Sequence, residues 1–211
     1  MTPSHDDPSR EEGRSEAAIR GRTVETLSDA WGTLTRHAFE QRGGDGTWSS
    51  QTREIYDHGH AAACLAYDRA RGCVLLTRQF RLPLHLHDAG PHDGMSVEAP
   101  AGLIEGGETA EATIAREMVE ETGYRVRDLR LVADLFASPG SLSERMLLYT
   151  ARYAPADRVG EGGGLAEEGE EIEVMEVPLG EARAMVADGR VRDLKTAFLI
   201  LHLASERPES D

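Results

Sequence analysis

The spacing of apolar positions changes several times along the chain, and each change marks an element. Residues 1 to about 20 are polar, include Pro3 and Pro8, and show no periodic apolar spacing, the composition of a disordered tail. From Thr23 the pattern becomes strand-like, with runs at 27–39 and 52–56 flanking the glycine-rich turn Gly43-Gly44-Asp45-Gly46. Residues 61–67 and 73–80 are compact apolar runs separated by a turn, which predicts two paired, buried strands. A stretch rich in His, Pro, Asp and Gly at 82–94 reads as a loop, and 97–100 as a brief extended piece.

Helical spacing follows at 109–122, stopped by Gly123 as a C-cap. Residues 131–137 and 145–153 are predicted strands around Ser138-Pro139-Gly140, and 155–170 a flexible acidic, glycine-rich loop. A strand at 173–177 and helices near 179–188 and 193–205 complete the pattern, with no internal repeat. The simplest architecture is α/β (α+β): a mixed sheet sandwiched between helices. The expected organisation is a tail at 1–20, N-terminal antiparallel strands at 21–60 and a main domain at 61–206.

Composition narrows the class. Hydrophobic residues at 39% and charged residues at 29% suit a soluble globular protein. No run approaches the roughly 18 apolar residues of a membrane span, and the first residues lack the apolar core of a secretory leader, so a cytoplasmic location and no membrane partner are expected. Lys plus Arg number 23 against 38 Asp plus Glu, a net charge of −15, which works against nucleic-acid binding but leaves room for one phosphorylated small molecule. Cys64 and Cys73 lie in apolar, strand-like stretches and read as reduced, buried small hydrophobes.

The segment 109–122 carries the candidate chemistry. On a wheel of about 100° per residue, Ala115, Met118, Val119 and Thr122 form a mainly apolar stripe, with Glu117, Glu120 and Glu121 opposite. Like charges at i,i+4 cost roughly 0.2–0.5 kcal/mol per pair, and acids at a helix C-terminus oppose its dipole. A divalent cation would relieve both, although a solvated acidic face is the plain alternative. Gly102, Glu108, Arg116, Glu117, Glu120, Glu121 and Gly123 fit G-x5-E-x7-R-E-U-x-E-E-x-G-U at every fixed position, where U is bulky and apolar; Tyr124 fills the last U. This run, GLIEGGETAEATIAREMVEETGY, resembles the Nudix box of the Nudix hydrolase family. Mg²⁺ suits such a set, since it takes hard oxygen ligands from a few carboxylates, waters and substrate phosphates.

The resemblance extends to the nucleotide-sugar branch of that family, the GDP-mannose pyrophosphatases in particular, through LSDAW at 27–31, TREIYDHG at 52–59, LLTRQFR at 75–81, EAPAGL at 98–103, SPGSLSE at 138–144, GGGLAEEGEEIEV at 162–174 and GRVRDLKT at 189–196. It implies a Nudix fold, a homodimer that exchanges N-terminal strands, Mg²⁺ with Mn²⁺ as a possible substitute, and hydrolysis of GDP-mannose to GMP and mannose 1-phosphate. It further implies metal ligation by the Ala101 carbonyl, Glu117, Glu121 and Glu170. Catalytic roles fall to Glu120, to Glu168 as the residue that activates or orients water, and to Arg116, which lies beside the acidic face. Substrate contacts fall to Trp31, Arg53, Glu54, Arg81, Ala101, Gly102, Leu103, Glu121, Glu144, Glu170 and Lys195. Trp31 would stack on the base, Glu54 would accept hydrogen bonds from guanine, and Arg53 and Glu54 would serve the neighbouring subunit. Against these stand a core tryptophan, a cross-strand ion pair, a capping role for Glu144, surface charge for Arg81 and Lys195, a surface ion pair for Arg116, and solvated charge for Glu168 and Glu170, which lie in a crowded acidic run. Gly169 stands where a relative has an acidic residue expected to contact substrate.

Three other readings are open. Pro139 lies 15 residues after the box, a spacing shared with ADP-ribose pyrophosphatases. A Nudix domain can also act as a non-catalytic nucleotide-sugar sensor, though such proteins lose box glutamates that remain here. A sanitiser of oxidised triphosphates fits less well, because those chains are usually shorter. His85, His87, Asp88, His92 and Asp93 match no zinc spacing and read as a solvated loop or dimer contact, and His58 and His60 are treated alike.

Overall fold

The protein is described by a computed structural model covering residues 18–87, 93–165 and 169–206. The chain divides into two compact units, Met1–Gly59 with Phe136–Glu144, and His60–Leu135 with Arg145–Asp211.

The second unit is built on β4 (Ala61–Asp68), in which every residue is buried. Alternate side chains of a strand face opposite ways, so one apolar run serves two cores. Ala62, Cys64 and Ala66 join Ile114 and Met118 of helix α2 (Ala110–Thr122) in one cluster. Ala63, Leu65 and Tyr67 join the other, with Ala182 and Met185 of α3 (Leu179–Ala187) and Leu199, Ile200 and Leu203 of α4 (Leu194–Glu206). This is the expected sheet between helices. Truncating a fully buried Ile114 or Met118 to Ala should cost about 2–5 kcal/mol.

Pairing in this sheet is mixed. With β5 (Cys73–Phe80), β8 (Arg127–Phe136), β9 (Arg145–Arg152) and β10 (Glu173–Pro178), the order is β10-β5-β4-β9-β8, and β4 runs parallel to β9. Strands β6 (Met95–Glu98) and β7 (Ala101–Leu103) pair with β5 and β4 respectively. One end of β4, Ala61 to Ala63, pairs with β7, whereas Tyr67 and Asp68 pair with β5.

The first unit is an antiparallel meander of β1 (Ile19–Asp29), β2 (Thr33–Arg42) and β3 (Trp48–Asp57). The β2–β3 turn is closed by the Gly43 N–H on Thr47 O at 2.8 Å and by Asp45 Oδ1 accepting from Thr47, with Gly46 at φ 83°.

Three expectations need correction. The run at 27–39 is two strands, broken at Trp31-Gly32, where a Cβ on Gly32 would meet the Tyr56 hydroxyl at 2.6 Å. The segment at 82–94 is not all loop: α1 (Leu82–His87) forms there, with Pro83 in the first turn, where its missing N–H is no loss, and His85 against the Phe80 ring at 5.6 Å. Asp88 and His92 of that segment lie outside the described residues, as does the expected tail up to residue 17, while Ile19 and Arg20 already belong to β1. Both cysteines are free, Cys64 buried and Cys73 half-buried. No helix among the described residues is long and apolar enough to cross a membrane.

Candidate active site

Helix α2 is fixed at both ends. Thr109 caps its start by accepting from Ala112 N at 3.2 Å, and Gly123 ends it in the left-handed region at φ 78°, its N–H on Val119 O. Acidic side chains crowd the C-terminal turn, whose carbonyls need donors. Those come from the glycine-rich segment: Gly163 N–H donates to Glu121 O at 2.9 Å, Gly164 N–H to Glu120 O at 3.1 Å, and Val159 and Gly160 to Gly123 O. The approach demands glycine at 162, since a Cβ there would collide with the Thr122 backbone.

The wheel misplaced part of this helix. Ala115, assigned to the apolar stripe, is exposed, whereas Ile114, Met118, Glu121 and Thr122 are buried. Ile114 shares a face with Glu117 and Glu121 (positions i, i+3 and i+7), so that face turns inward rather than to open water. Glu121 is only 2% exposed and accepts a hydrogen bond from the Ala101 backbone, and its buried Oε2 has no partner among the described residues. Burial first, then the charges of Glu117 and Glu170, push its carboxyl up to about 8. Glu117 is pushed up to about 7, mainly by burial, with Arg116 opposing and Glu120 adding to the rise. Gly102 leaves room for this carboxylate, because a Cβ there would collide with Glu117. Arg116 ties the group together, with Nη1 at 2.7 Å from Glu120 and 2.9 Å from Glu117, and Nη2 at 3.5 Å from Glu108.

A second buried carboxylate has the opposite character. Glu98, at the end of β6, receives Arg81 through Nε and Nη2 at 2.9 and 3.0 Å, and Lys195 Nζ at 2.7 Å. Burial alone would raise its carboxyl, but the Arg81 hydrogen bonds and the two positive charges outweigh it and hold it at about 2. Asp193 adds a second anion 3.0 Å from Lys195, and the Thr196 hydroxyl accepts from Ala99 N at 2.7 Å. Arg81 and Lys195, expected as phosphate-facing cations, are thus brought together by a residue the sequence reading passed over. The signal was present: a carboxylate in an otherwise apolar extended piece, at the head of EAPAGL.

Glu170 is held on its loop by Leu165 N–H donating to Oε2 at 3.0 Å, and it acts electrostatically on both Glu117 and Glu121. Glu168 lies outside the described residues. Ala101, Gly102 and Leu103 form β7. In the first unit Trp31 is 73% exposed, which excludes a core role within this chain, and Arg53 donates to Thr52 O. Glu54 does form a cross-strand ion pair, but with Arg36, which reaches its Oε1 at 2.9 Å. Glu144 faces His58 Nε2 at 3.5 Å.

The second unit's carboxylates fit a hard cation. Among the described residues a buried carboxylate oxygen lacks a hydrogen-bond partner, two neighbouring acids resist ionisation, and the candidate ligand atoms are all oxygen. Among the described residues no three His, Cys, Asp or Glu side chains form a ready-made metal cage.

Residues 18–56 match the GDP-mannose pyrophosphatase NudK N-terminal domain, and residues 57–197 the NUDIX domain. A GDP-mannose pyrophosphatase from Pectobacterium atrosepticum is 43% identical over 176 residues, 83% of this chain and 89% of that protein. Those of Klebsiella pneumoniae and Yersinia pestis are 42% and 40% identical, over 84% and 83% of this chain and 87% and 86% of theirs. A crystal structure of an ADP compounds hydrolase shares the fold, with a TM-score of 0.66 at 18% identity over 94% of this chain and 100% of that one. A box complete at every fixed position, on a helix whose carboxylates are gathered as described, and a domain match over most of its length make this chain a member of the Nudix family.

Proposed function

We propose that this Nudix hydrolase splits the diphosphate bond of GDP-mannose, giving GMP and mannose 1-phosphate. The observation that carries the substrate is the joint match: a Nudix domain preceded by the N-terminal domain described for GDP-mannose pyrophosphatase, with relatives of that name 40–43% identical across both. Glu54 supports guanine, because its carboxylate can accept from N1–H and the amino group. Both Arg36 bonds fall on Oε1 and hold the carboxylate in place.

Glu117, Glu121, Glu170 and the Ala101 carbonyl would hold Mg²⁺, with Mn²⁺ as a substitute. Bound there, the cation supplies charge neutralisation for the diphosphate and a more acidic water. Around it the protein's groups divide the work. Arg116 keeps Glu117 and Glu120 from swinging apart, and Glu120 remains available to polarise water. Glu168, two residues before Glu170 in the sequence, is assigned from the family resemblance as the residue that activates or orients water. Arg81 and Lys195, steadied by Glu98, present positive charge to the phosphates, and Gly102 and Leu103 line the strand beside the box. Trp31, Arg53 and Glu144 recognise the nucleotide and its sugar.

A homodimer is part of the reading. The eleven residues of β1 include none that is buried, and a thin sheet of this kind needs a covering surface to be stable. A second copy exchanging these strands supplies one. The expected setting is the cytoplasm, with no nucleic-acid or membrane partner.

A substrate panel tests the proposal. With Mg²⁺, kcat/KM for GDP-mannose should exceed that for ADP-ribose and UDP-glucose by at least about tenfold, a pocket difference of roughly 1.4 kcal/mol. A preference for ADP-ribose would transfer the chain to that activity. Binding without release of any sugar phosphate would make it a sensor.

A further inference from the structure

The first unit holds a constellation that neither the box nor the cation accounts for. Trp31, in the turn between β1 and β2, is 73% exposed, yet its indole stacks on the His58 imidazole with ring centroids 5.0 Å apart and planes 22° apart. His58 is largely buried, with its side chain 14% exposed, and its Nε2 faces Glu144 at 3.5 Å. Tyr56 closes a further side at 5.6 Å from the imidazole.

The three groups come from separate segments, and backbone contacts hold two of those together. Tyr56 N–H donates to Ser141 O at 2.9 Å, and Ser143 N–H to Tyr56 O at 3.2 Å, which fastens the 138–144 loop to the end of β3. Gly32 lets the third, the Trp31 turn, lie directly on the Tyr56 ring. Gly59, at φ 98°, turns the chain immediately after His58, and its N–H is held by Asp57 Oδ1 at 3.0 Å.

The His58 imidazole is a flat plate behind the indole. An exposed indole backed on one face by such a plate has its orientation set in advance, and aromatic rings gain most from stacking when little freedom is lost on contact.

We infer that His58 is a positioning residue for nucleotide recognition: it backs Trp31, so that the indole presents its open face to a purine base, and it steadies Glu144 beside it. The inference rests on the nucleotide-hydrolase reading above for the class of ligand. It adds a residue, and a reason for an exposed tryptophan.

Trp31 and Trp48 are the two tryptophans, so in a Trp48→Phe background fluorescence reports on Trp31 alone. GMP serves as the probe, with mannose 1-phosphate as the control lacking a base. GMP should quench Trp31, and mannose 1-phosphate should not. His58→Gln keeps a polar group for Glu144 but loses the stack. It should weaken GMP binding about three- to tenfold, the size of one aromatic pair, and raise KM for GDP-mannose with kcat nearly unchanged. His58→Phe keeps the stack and should recover most of the GMP affinity. Circular dichroism and the thermal midpoint confirm that each variant is folded, and if His58→Gln does not fold, the comparison of His58→Phe with Trp31→Ala decides.

Equal GMP affinity in His58→Gln and wild type overturns the inference. So does an active wild type in which GMP leaves Trp31 fluorescence unchanged; the hydrolase reading then survives alone. Trp31 quenching that His58→Gln weakens, in a protein that hydrolyses no nucleotide sugar, upholds the platform and sinks the reaction.

Discussion

Two buried carboxylate sets lie in the same unit and behave in opposite ways. Glu98 is 4% exposed and surrounded by cations, and its carboxyl is held at about 2. Glu121 is 2% exposed and surrounded by other acids, and its carboxyl is pushed up to about 8. Burial is nearly the same; the neighbours decide. A carboxylate whose counter-charges are built into the chain stays ionised by itself, whereas one set among other acids favours its neutral form unless a cation compensates it. Removing one partner from the first kind strands a buried charge, whereas removing a member of the second relieves repulsion.

Substitutions can break this contrast. The largest effect belongs to Glu121→Gln, which removes a carboxylate that burial already disfavours. Turnover should fall at least about a thousandfold, the scale of losing a principal electrostatic contact to the reacting groups. The thermal midpoint in chelator should stay level or rise. Glu98→Gln should do the reverse to the fold, costing about 3 kcal/mol because Lys195 and Arg81 lose their partner. Denaturant unfolding measures it directly.

The pH dependence sharpens the same point. A carboxyl held below its unfolded value stabilises the fold above about pH 4.5 and loses that contribution as the pH falls toward 2. The stability gap between wild type and Glu98→Gln should therefore be constant near neutrality and close as the pH approaches 2. A gap unchanged down to that pH would show that packing, not charge, holds this cluster.

Gly102→Ala probes geometry rather than charge. Its new Cβ meets the Glu117 carboxylate, and a displacement of about an ångström can cost about a hundredfold in rate. Steady-state assays with GDP-mannose should show this with little change in the unfolding midpoint. The smallest effect is expected from Thr109→Ala, which removes the α2 N-cap and should cost about 1 kcal/mol without favouring either cluster.

What could be read from the sequence follows the range of the forces involved. The bounds of α2 were legible because Thr109 and Gly123 act on their own helix ends, and β4 and the first half of β5 because a strand segment buried on both faces is an unbroken apolar run. The box spacing brought out Arg116, Glu117, Glu120 and Glu121 for the same local reason. Relations across the chain were not legible. The inward turn of Glu121 depends on β7 lying against α2, and the wheel, which knows only one helix, assigned Ala115 to the core instead. The pairing of Glu54 with Arg36 depends on strand register, and the hold of Glu98 on Lys195 joins residues 97 positions apart. His58 acquires meaning only when Trp31 and Glu144 arrive beside it.

The most direct test of the contrast is Mn²⁺ binding followed by electron paramagnetic resonance, in wild type, Glu121→Gln and Glu98→Gln. The account predicts binding in wild type, a loss of at least about tenfold in affinity in Glu121→Gln, and binding close to wild type in whatever fraction of Glu98→Gln remains folded. Equal affinity in wild type and Glu121→Gln would contradict it, because the uncompensated carboxylate would then have no cation to hold.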